Sequence, residues 1–352
     1  MNYIFYPKKD ATIYERTSSM NTGLDQILEV GNSLGYNNRA LIQFDVNGIL
    51  EYITDNSITD YNVKLNLYAT EAKNVPLEHT LEIYPLSSSW DGGIGKWQHT
   101  PITRNDVSWI NRKTGLNWQS GSYPSGVTGS YNNIVGGGNW YYDYKVTQSF
   151  DYKTTDIGVD INSIFNLWVT GSIENNGLII KFSDDIEKDV NSYSGINFFS
   201  NETNTIFVPR LSIQYDDSVY VTGSSQLIPD INNMIIAPKL KREYFYGGVN
   251  EIDLTVRKKL AVKTFSTQSS YIGTYRLPSS SYYSIVDVMS NNVIIDFSEY
   301  TKISYANNKN FFNLSVDSLF PKRTYKIKFK VVDTSSSNVV YYTYPYSFKV
   351  LK

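Results

Sequence analysis

In the stretch "RTYKIKFKVVDT" (323–334), Tyr325, Ile327, Phe329 and Val331 fall on every second residue, with lysines between them. A period of two sends alternate side chains to opposite faces of an extended chain. This segment can therefore bury its apolar set only as a β-strand, lysines outward. The signal recurs along the chain. "NVKLNLYATEA" (62–72) alternates through Val63, Leu65, Leu67 and Ala69, and "TLEIYPL" (80–86) through Leu81, Ile83 and Pro85. Segments 11–16, 26–31, 39–46, 177–183, 195–200 and 209–215 are short, β-rich and bounded by turn residues, as are 251–259, 271–278, 291–298, 310–320 and 338–350. Short strands spaced by turns indicate an all-β chain of sandwiches or barrels. One helix is expected in "VDINSIFNLWVTG", where Ile161, Ile164, Phe165 and Trp168 share a face, Asp160 or Asn162 caps and Gly171 ends it. Trp168 then seals one end of a core.

With 352 residues the chain holds two or three domains. The first spans 1–216, a connecting segment 217–250 and a sandwich domain 251–352. Between about 87 and 140 the strand pattern breaks into a long insertion rich in Gly, Ser, Asn and Trp, of the kind that serves function or packs on a partner. Charge divides along the same line. Residues 1–216 carry 15 basic and 24 acidic side chains, residues 217–352 carry 17 and 10. Such a dipolar chain suits head-to-tail docking or an acidic neighbour, and equally two domains with different solvated surfaces. No cysteine is present, which excludes disulfides and thiolate chemistry and fits assembly in a reducing cytoplasm. The start, "MNYIFYPKKD", has no apolar run of signal-peptide kind. No stretch approaches the ~20 apolar residues of a membrane span.

Catalytic patterns are sparse. The two histidines, His79 and His99, read as surface or turn residues, and no G-x-S-x-G elbow occurs. Asp91, Asp106, Asp143, Asp184 and Asp185 are the acids a glycosidase pair would draw on. Asp184 and Asp185 lie in "SDDIEKD", read as a solvated hairpin tip, with calcium as the one metal its oxygens would suit. No other cofactor is expected. "GGGNW" (136–140) lacks the residues of a phosphate loop. The basic runs "KLKR" (239–242) and "RKK" (257–259) are short, and alternating lysines also protect edge strands, so nucleic acid is not expected as a partner. The sharpest feature is "NWYYDYK" (139–145). As a strand it would line Trp140, Tyr142 and Tyr144 on one face and Tyr141 on the other, a row able to stack on sugars or anchor a protein. The alternative is that one face is core and the other lies under the long loop. In "SSSWDGGIGKW" (87–97), Trp90 and Trp97 read as anchors that pin the insertion to the sandwich, and Asp91 as a turn residue.

The quoted residues carry two resemblances. Asp10, Ala11 and Ile13, then Asn21 and Gly23, then Arg39, Leu41, Ile42, Phe44 and Asp45 resemble the opening of a DNRLRE-type domain, a carbohydrate-binding-module-like jelly roll. Trp168, Gly171, Asn176 to Leu178, Phe199, Ser200, Glu202, Pro209, Leu211 and Tyr215 are similar to its closing half. Tyr283 to Asp287, Ile295 to Phe297, Thr301 to Ser304 and Arg323 to Tyr325 resemble the end domain of virion structural proteins of tailed bacteriophages. The first resemblance implies a jelly roll, and the strand spacing of residues 251–352 suits an immunoglobulin-like sandwich. The second resemblance, with the charge division and the sparse catalytic patterns, points to a non-enzymatic component of the phage head, neck or tail, assembled in the host cytoplasm into the virion. Its partners would be other virion proteins and further copies of itself. The second reading is a carbohydrate-binding module that adheres to host glycans.

Overall fold

The computed structural model describes residues 2–76, 78–97, 99–118, 136–151, 155–191, 193–216, 220–223, 225–260, 274–333 and 337–352. The chain is all-β, with a few short helices. It divides into two compact units, Phe5–Ile213 and Met1–Ile4 together with Gln214–Lys352. No helix among the described residues is long and apolar enough to cross a membrane.

The larger sheet of the first unit runs Val146–Asp151, Glu78–Pro85, Leu178–Phe182, Tyr36–Phe44, Ile27–Ser33, Tyr193–Phe199 and Ala69–Lys73, with Pro7–Tyr14 also paired to Tyr36–Phe44. In a smaller sheet Tyr61–Leu67 lies between Arg210–Tyr215 and Ile157–Asp160. The stretch 62–72 is therefore not one strand. Val63, Leu65 and Leu67 are buried in the smaller sheet, while Ala69 pairs with Phe198 in the larger one, the change falling at Tyr68.

Both faces of the larger sheet are buried along much of its length. Leu81, Glu82, Ile83, Tyr84 and Pro85 are consecutive and buried, where alternation predicts one wet face. Register explains it. Ala11, Leu41, Ile179 and Tyr84 stand opposite one another across four strands and form an apolar row on the outer face. Trp90, Val107, Trp109, Trp118 and Trp140 of the insertion pack on that row as a second core. Four buried indoles are a large apolar payload, about 2–3 kcal/mol each by area. The loop is held by Asn21, whose side chain donates to Gly92 O (2.8 Å) and Val107 O (2.7 Å) and accepts from Gly95 N (2.7 Å). A Cβ on Gly95 would lie 2.1 Å from Asn21 O, so no larger residue fits there.

The expected helix is Asn162–Val169, with Ile164, Phe165 and Trp168 buried. Neither proposed residue is its N-cap, which is Ile161; Asp160 instead accepts from Asn162 N (2.8 Å). Gly171 closes it at φ +67°, in the left-handed region. A second helix, Asn47–Asp55, buries Ile49 and Ile53 and packs against the first.

Asp10 is buried in Pro7–Tyr14, and its carboxylate accepts from Asn201 N (2.6 Å). Burial pushes the Asp10 carboxyl up to about 7, against that one hydrogen bond and helped by Glu202 and Asp25. The folded value lies above the unfolded value of about 4. Its stabilising contribution is thus complete below pH ~4 and lost as pH rises through ~7. Thermal unfolding should show Tm falling from pH 5 to pH 8. Asp10→Asn, whose amide oxygen still accepts from Asn201, should flatten that slope; an unchanged slope would assign it to other groups.

The second unit is a sandwich of two sheets. One runs Met234–Pro238, Val249–Lys258, Lys309–Ser315 and Ser304–Ala306; the other Glu243–Phe245, Val339–Leu351, Thr324–Val332, Ser281–Asp287 and Val293–Ile295. Ile236, Ile252, Leu254, Phe312 and Leu314 from the first share a core with Ile285, Tyr325, Ile327, Phe329, Val331 and Phe348 from the second. Residues 217–250 supply Met234–Pro238 and Glu243–Phe245 to the two sheets, and Thr324–Val332 is a central strand. Of the segment 271–278, residues 271–273 lie outside the described residues, and Arg276 forms only an isolated bridge with Leu227.

Candidate functional site

Beside the apolar row, the outer face of the larger sheet carries two polar rows. Two residues along Glu78–Pro85 from Tyr84, Glu82 stands between Lys181 and Thr147. Two residues further, Thr80 stands opposite Ser149, and their hydroxyls are 3.0 Å apart. The Glu82 carboxylate takes Lys181 (3.0 Å), Lys145 (3.0 Å) and the Tyr84 hydroxyl (3.0 Å). Burial alone would raise the Glu82 carboxyl, yet these three donors hold it below its usual value. Burial and then Glu82 push the Tyr84 hydroxyl up, so it stays a donor. Burial works against the charge on Lys181, and Glu187 leads the carboxylates that nonetheless raise its pKa.

Deeper in the same face lies a buried ion pair. Arg39 Nε and Nη2 donate to the two carboxylate oxygens of Glu187, both at 2.8 Å, and Nη1 donates to Gly137 O (2.7 Å). The guanidinium lies 4.8 Å from the Trp109 ring and 5.1 Å from the Trp140 ring. The glycine-rich stretch before Trp140 is thus a cover for Arg39. Gly136, at φ +134°, could not carry a side chain, since its Cβ would lie 2.1 Å from Trp109 O.

This overturns the reading of "SDDIEKD" as a hairpin tip. Asp184–Glu187 is a short helix with Glu187 buried. The Asp184 carboxylate is taken by Lys181 (2.8 Å) and Lys188 (3.2 Å), which leaves it poorly suited to calcium. Among the described residues no group of three or more His, Asp and Glu is placed to hold a metal ion. Asp91 pairs with Lys113 (3.4 Å) and Asp106 accepts from the Thr114 hydroxyl (2.8 Å); Asp143 is exposed.

The aromatic segment is not a strand. Trp140 bridges Leu86 and the chain then turns. Trp140 is buried under the insertion, so its face is closed to a ligand, contrary to the alternating row expected of it. Tyr141 is half-buried against Tyr144 (6.1 Å). Tyr142 and Tyr144 are exposed, at 37% and 40%. Tyr142 stacks on Tyr84 (6.0 Å, 20°), directly beside Glu82 and Lys145. Trp90 is fully buried and donates to Asn176 O (2.9 Å). Lys9 sits over its ring at 4.4 Å, and burial lowers the Lys9 ammonium to about 8. Trp168 is buried against Phe165. Trp97 is not a buried anchor: it is 41% exposed and lies over Tyr14 (4.4 Å).

The row of hydroxyls opens into a cleft of about 530 Å3 lined by Pro76, Glu78, His79, Thr80, Ser149, Phe150, Ser183, Asp185 and Ile186. His79 is not a surface residue. It is buried in its strand, stacked on Phe150 (4.7 Å, 7°), with Nδ1 facing Pro76 O (3.1 Å) and Nε2 without a partner among the described residues. Burial lowers its pKa, so the ring is neutral at pH 7. His99 is exposed. An exposed tyrosine face, a fixed carboxylate with its lysine, paired hydroxyls and a cleft therefore lie in one strip. That mixture of a flat ring and convergent polar groups suits a neutral or weakly charged polyhydroxyl ligand. Glu82, Thr80, Ser149 and Lys145 were not among the sequence candidates. A carboxylate inside the apolar run "TLEIYPL" was their one signal.

Residues 2–122 match carbohydrate-binding module family 96. No curated protein sequence matches the chain. Among solved structures it is similar to a DUF4785 family protein of Legionella pneumophila subsp. pneumophila strain Philadelphia 1, at 9% identity, TM-score 0.21, covering 100% of this chain and 65% of that one. It is also similar to a β-glucuronidase of Parabacteroides merdae, at 7% identity and TM-score 0.17, covering 89% of this chain and 27% of that enzyme. Superpositions this loose say nothing of function. The chain carries a carbohydrate-binding-module-like domain.

Proposed function

We propose that the protein is a non-catalytic glycan-binding protein, and that its first unit holds the sugar along the strip from Tyr142 to the His79 cleft. The observation that carries this reading is the match of residues 2–122 to a carbohydrate-binding module family. The strip supports it. Tyr142 offers a ring for the apolar face of a pyranose, Lys145, Thr80 and Ser149 offer donors and acceptors for its hydroxyls, and buried Glu82 holds Lys145 in place. The sugar's role would be adhesion, with no residue asked to break a bond. The virion reading rests on the C-terminal resemblance, the division of charge along the chain and the sparse catalytic patterns of the sequence. The family match ends at residue 122 and does not reach those residues, so glycan binding is placed first.

Calorimetric titration of the full chain with a panel of oligosaccharides is the test. Tyr142→Ala should weaken binding by about 1–2 kcal/mol, and Tyr142→Phe, which keeps the ring over Tyr84, should retain most of the affinity; thermal unfolding of both variants separates lost binding from the uncovering of Tyr84. No binding across the panel, or full affinity in Tyr142→Ala, would remove the strip from consideration.

A further inference from the structure

The long strand Val339–Leu351 of the second unit is the point of interest. It pairs on one side with Thr324–Val332 along most of its length. On its other side Glu243–Phe245 covers only Lys349, Val350 and Leu351. Between Val339 and Tyr344 that side has no partner strand among the described residues. Such an edge is a template for another strand, and proteins usually blunt it with charge, proline or a bulge. Here residues 338–348 hold no charged side chain. Pro345 falls in the bulge where the register with Thr324–Val332 shifts, and it interrupts the edge only beyond Tyr344.

The direction of the free peptide groups follows from the register. Val332 N donates to Ser280 O at 2.9 Å, which is away from Val339–Leu351. In an antiparallel ladder the bonded side alternates residue by residue. Val331 and Phe329 therefore bond to Val340 and Tyr342, their partners in register. Val339, Tyr341 and Thr343 turn their N–H and C=O groups to the open side. Their side chains lie on the solvent face, with Tyr341 66% and Val339 45% exposed, while Val340, Tyr342 and Tyr344 pack on the core.

We propose that this edge pairs with the same edge of a second copy of the chain, antiparallel about a two-fold axis through Tyr341. The pattern is self-complementary. Tyr341 meets its own counterpart, Val339 meets Thr343 and Thr343 meets Val339, and every free donor and acceptor of the three finds its mate. The facing side chains are an aromatic pair flanked by β-branched pairs, the combinations that stabilise antiparallel strands. An isologous contact uses the same edge on both copies and so closes at a dimer. A second copy is the occupant this edge fits because uncharged residues meet uncharged residues and the hydrogen-bond pattern reads the same in both directions. The dimer would also double the number of glycan-binding strips on one particle, which raises avidity without any new contact. The pairing itself does not depend on the glycan reading.

Light scattering and sedimentation of the full chain across micromolar concentrations test it. A dimer is expected, with amide exchange at Tyr341 and Thr343 slowing as concentration rises. Tyr341→Lys, which sets like charges opposite each other, should raise the dimer dissociation constant at least about tenfold. Tyr346→Lys, beyond Pro345, should leave it unchanged. A monomer at all concentrations overturns the proposal, as does a dimer that Tyr341→Lys does not weaken. A monomer that instead slows those amides on adding an extended peptide also overturns it, because the occupant is then not a second copy.

Discussion

Phe329→Asp should unfold the second unit or cost it about 4–5 kcal/mol, while Lys328→Asp should cost under about 1 kcal/mol. The two residues are neighbours on one strand, and only the register separates them. Phe329 is fully buried between the sheets and stacks near Tyr342 (6.4 Å). The core cluster around it is built of apolar and tyrosine side chains and holds no cation, so a carboxylate there would have to take up a proton or open the sandwich. Lys328 points the other way, flanked along the strand by Lys326 and Lys330, so an aspartate in its place gains two cations. Chemical denaturation followed by tyrosine fluorescence would separate the two. Equal losses would mean that the strand sits one residue out of the register described here.

That strand was legible because nothing beyond it interferes with its period. Tyr325, Ile327, Phe329 and Val331 are all buried and the lysines between them are not. Glu78–Pro85 shows the limit of the same signal. Its Leu81 and Ile83 obey the alternation, but Glu82 and Tyr84 are buried too: Tyr84 packs with the tryptophans of a distant loop, and Glu82 is taken by Lys145, Lys181 and the Tyr84 hydroxyl. Nothing in a seven-residue window announces a lid of Trp90, Trp109, Trp118 and Trp140. Trp140 misleads for a related reason. Its aromatic neighbours look like an alternating row, yet the three glycines before it bend the chain into a cover over Arg39, and only Tyr142 and Tyr144 emerge. The helix Asn47–Asp55 escapes a strand-dominated reading, although the Ile49–Ile53 spacing marks it. In "SDDIEKD" polar composition points to solvent, and the partner that buries Glu187 is 148 residues away in sequence. The polar half of the strip is hidden for the same cause: Glu82, Lys145 and Lys181 come from three strands or turns that only the sheet order brings together.

Glu187→Gln should destabilise the first unit by about 3–5 kcal/mol, and by more than Arg39→Met does. The asymmetry follows from what each change leaves behind. Without Arg39, Glu187 keeps Lys181 at 3.4 Å and remains a compensated charge. Without the Glu187 carboxylate, Arg39 is a buried cation facing Gly137 O and two indole rings, neither of which carries a full negative charge, with Lys181 as a like charge nearby. Lys181 itself still has Glu82 and Asp184. Removing both partners, Arg39→Met with Glu187→Gln, should recover part of the loss, and a double-mutant cycle would report the coupling. Lys188→Gln, which breaks an exposed pair to the same short helix, should change stability by under about 1 kcal/mol. The functional consequence is separable from stability. The helix Asp184–Glu187 supplies Asp185 and Ile186 to the cleft and is held by Asn32, which donates to Ile186 O (2.5 Å) and Glu187 O (3.0 Å). If the ion pair fixes the helix, Glu187→Gln should lose glycan affinity at temperatures where the unit is still folded. If affinity survives there, Asn32 alone positions the cleft wall, and the ion pair serves only to close the insertion over the sheet.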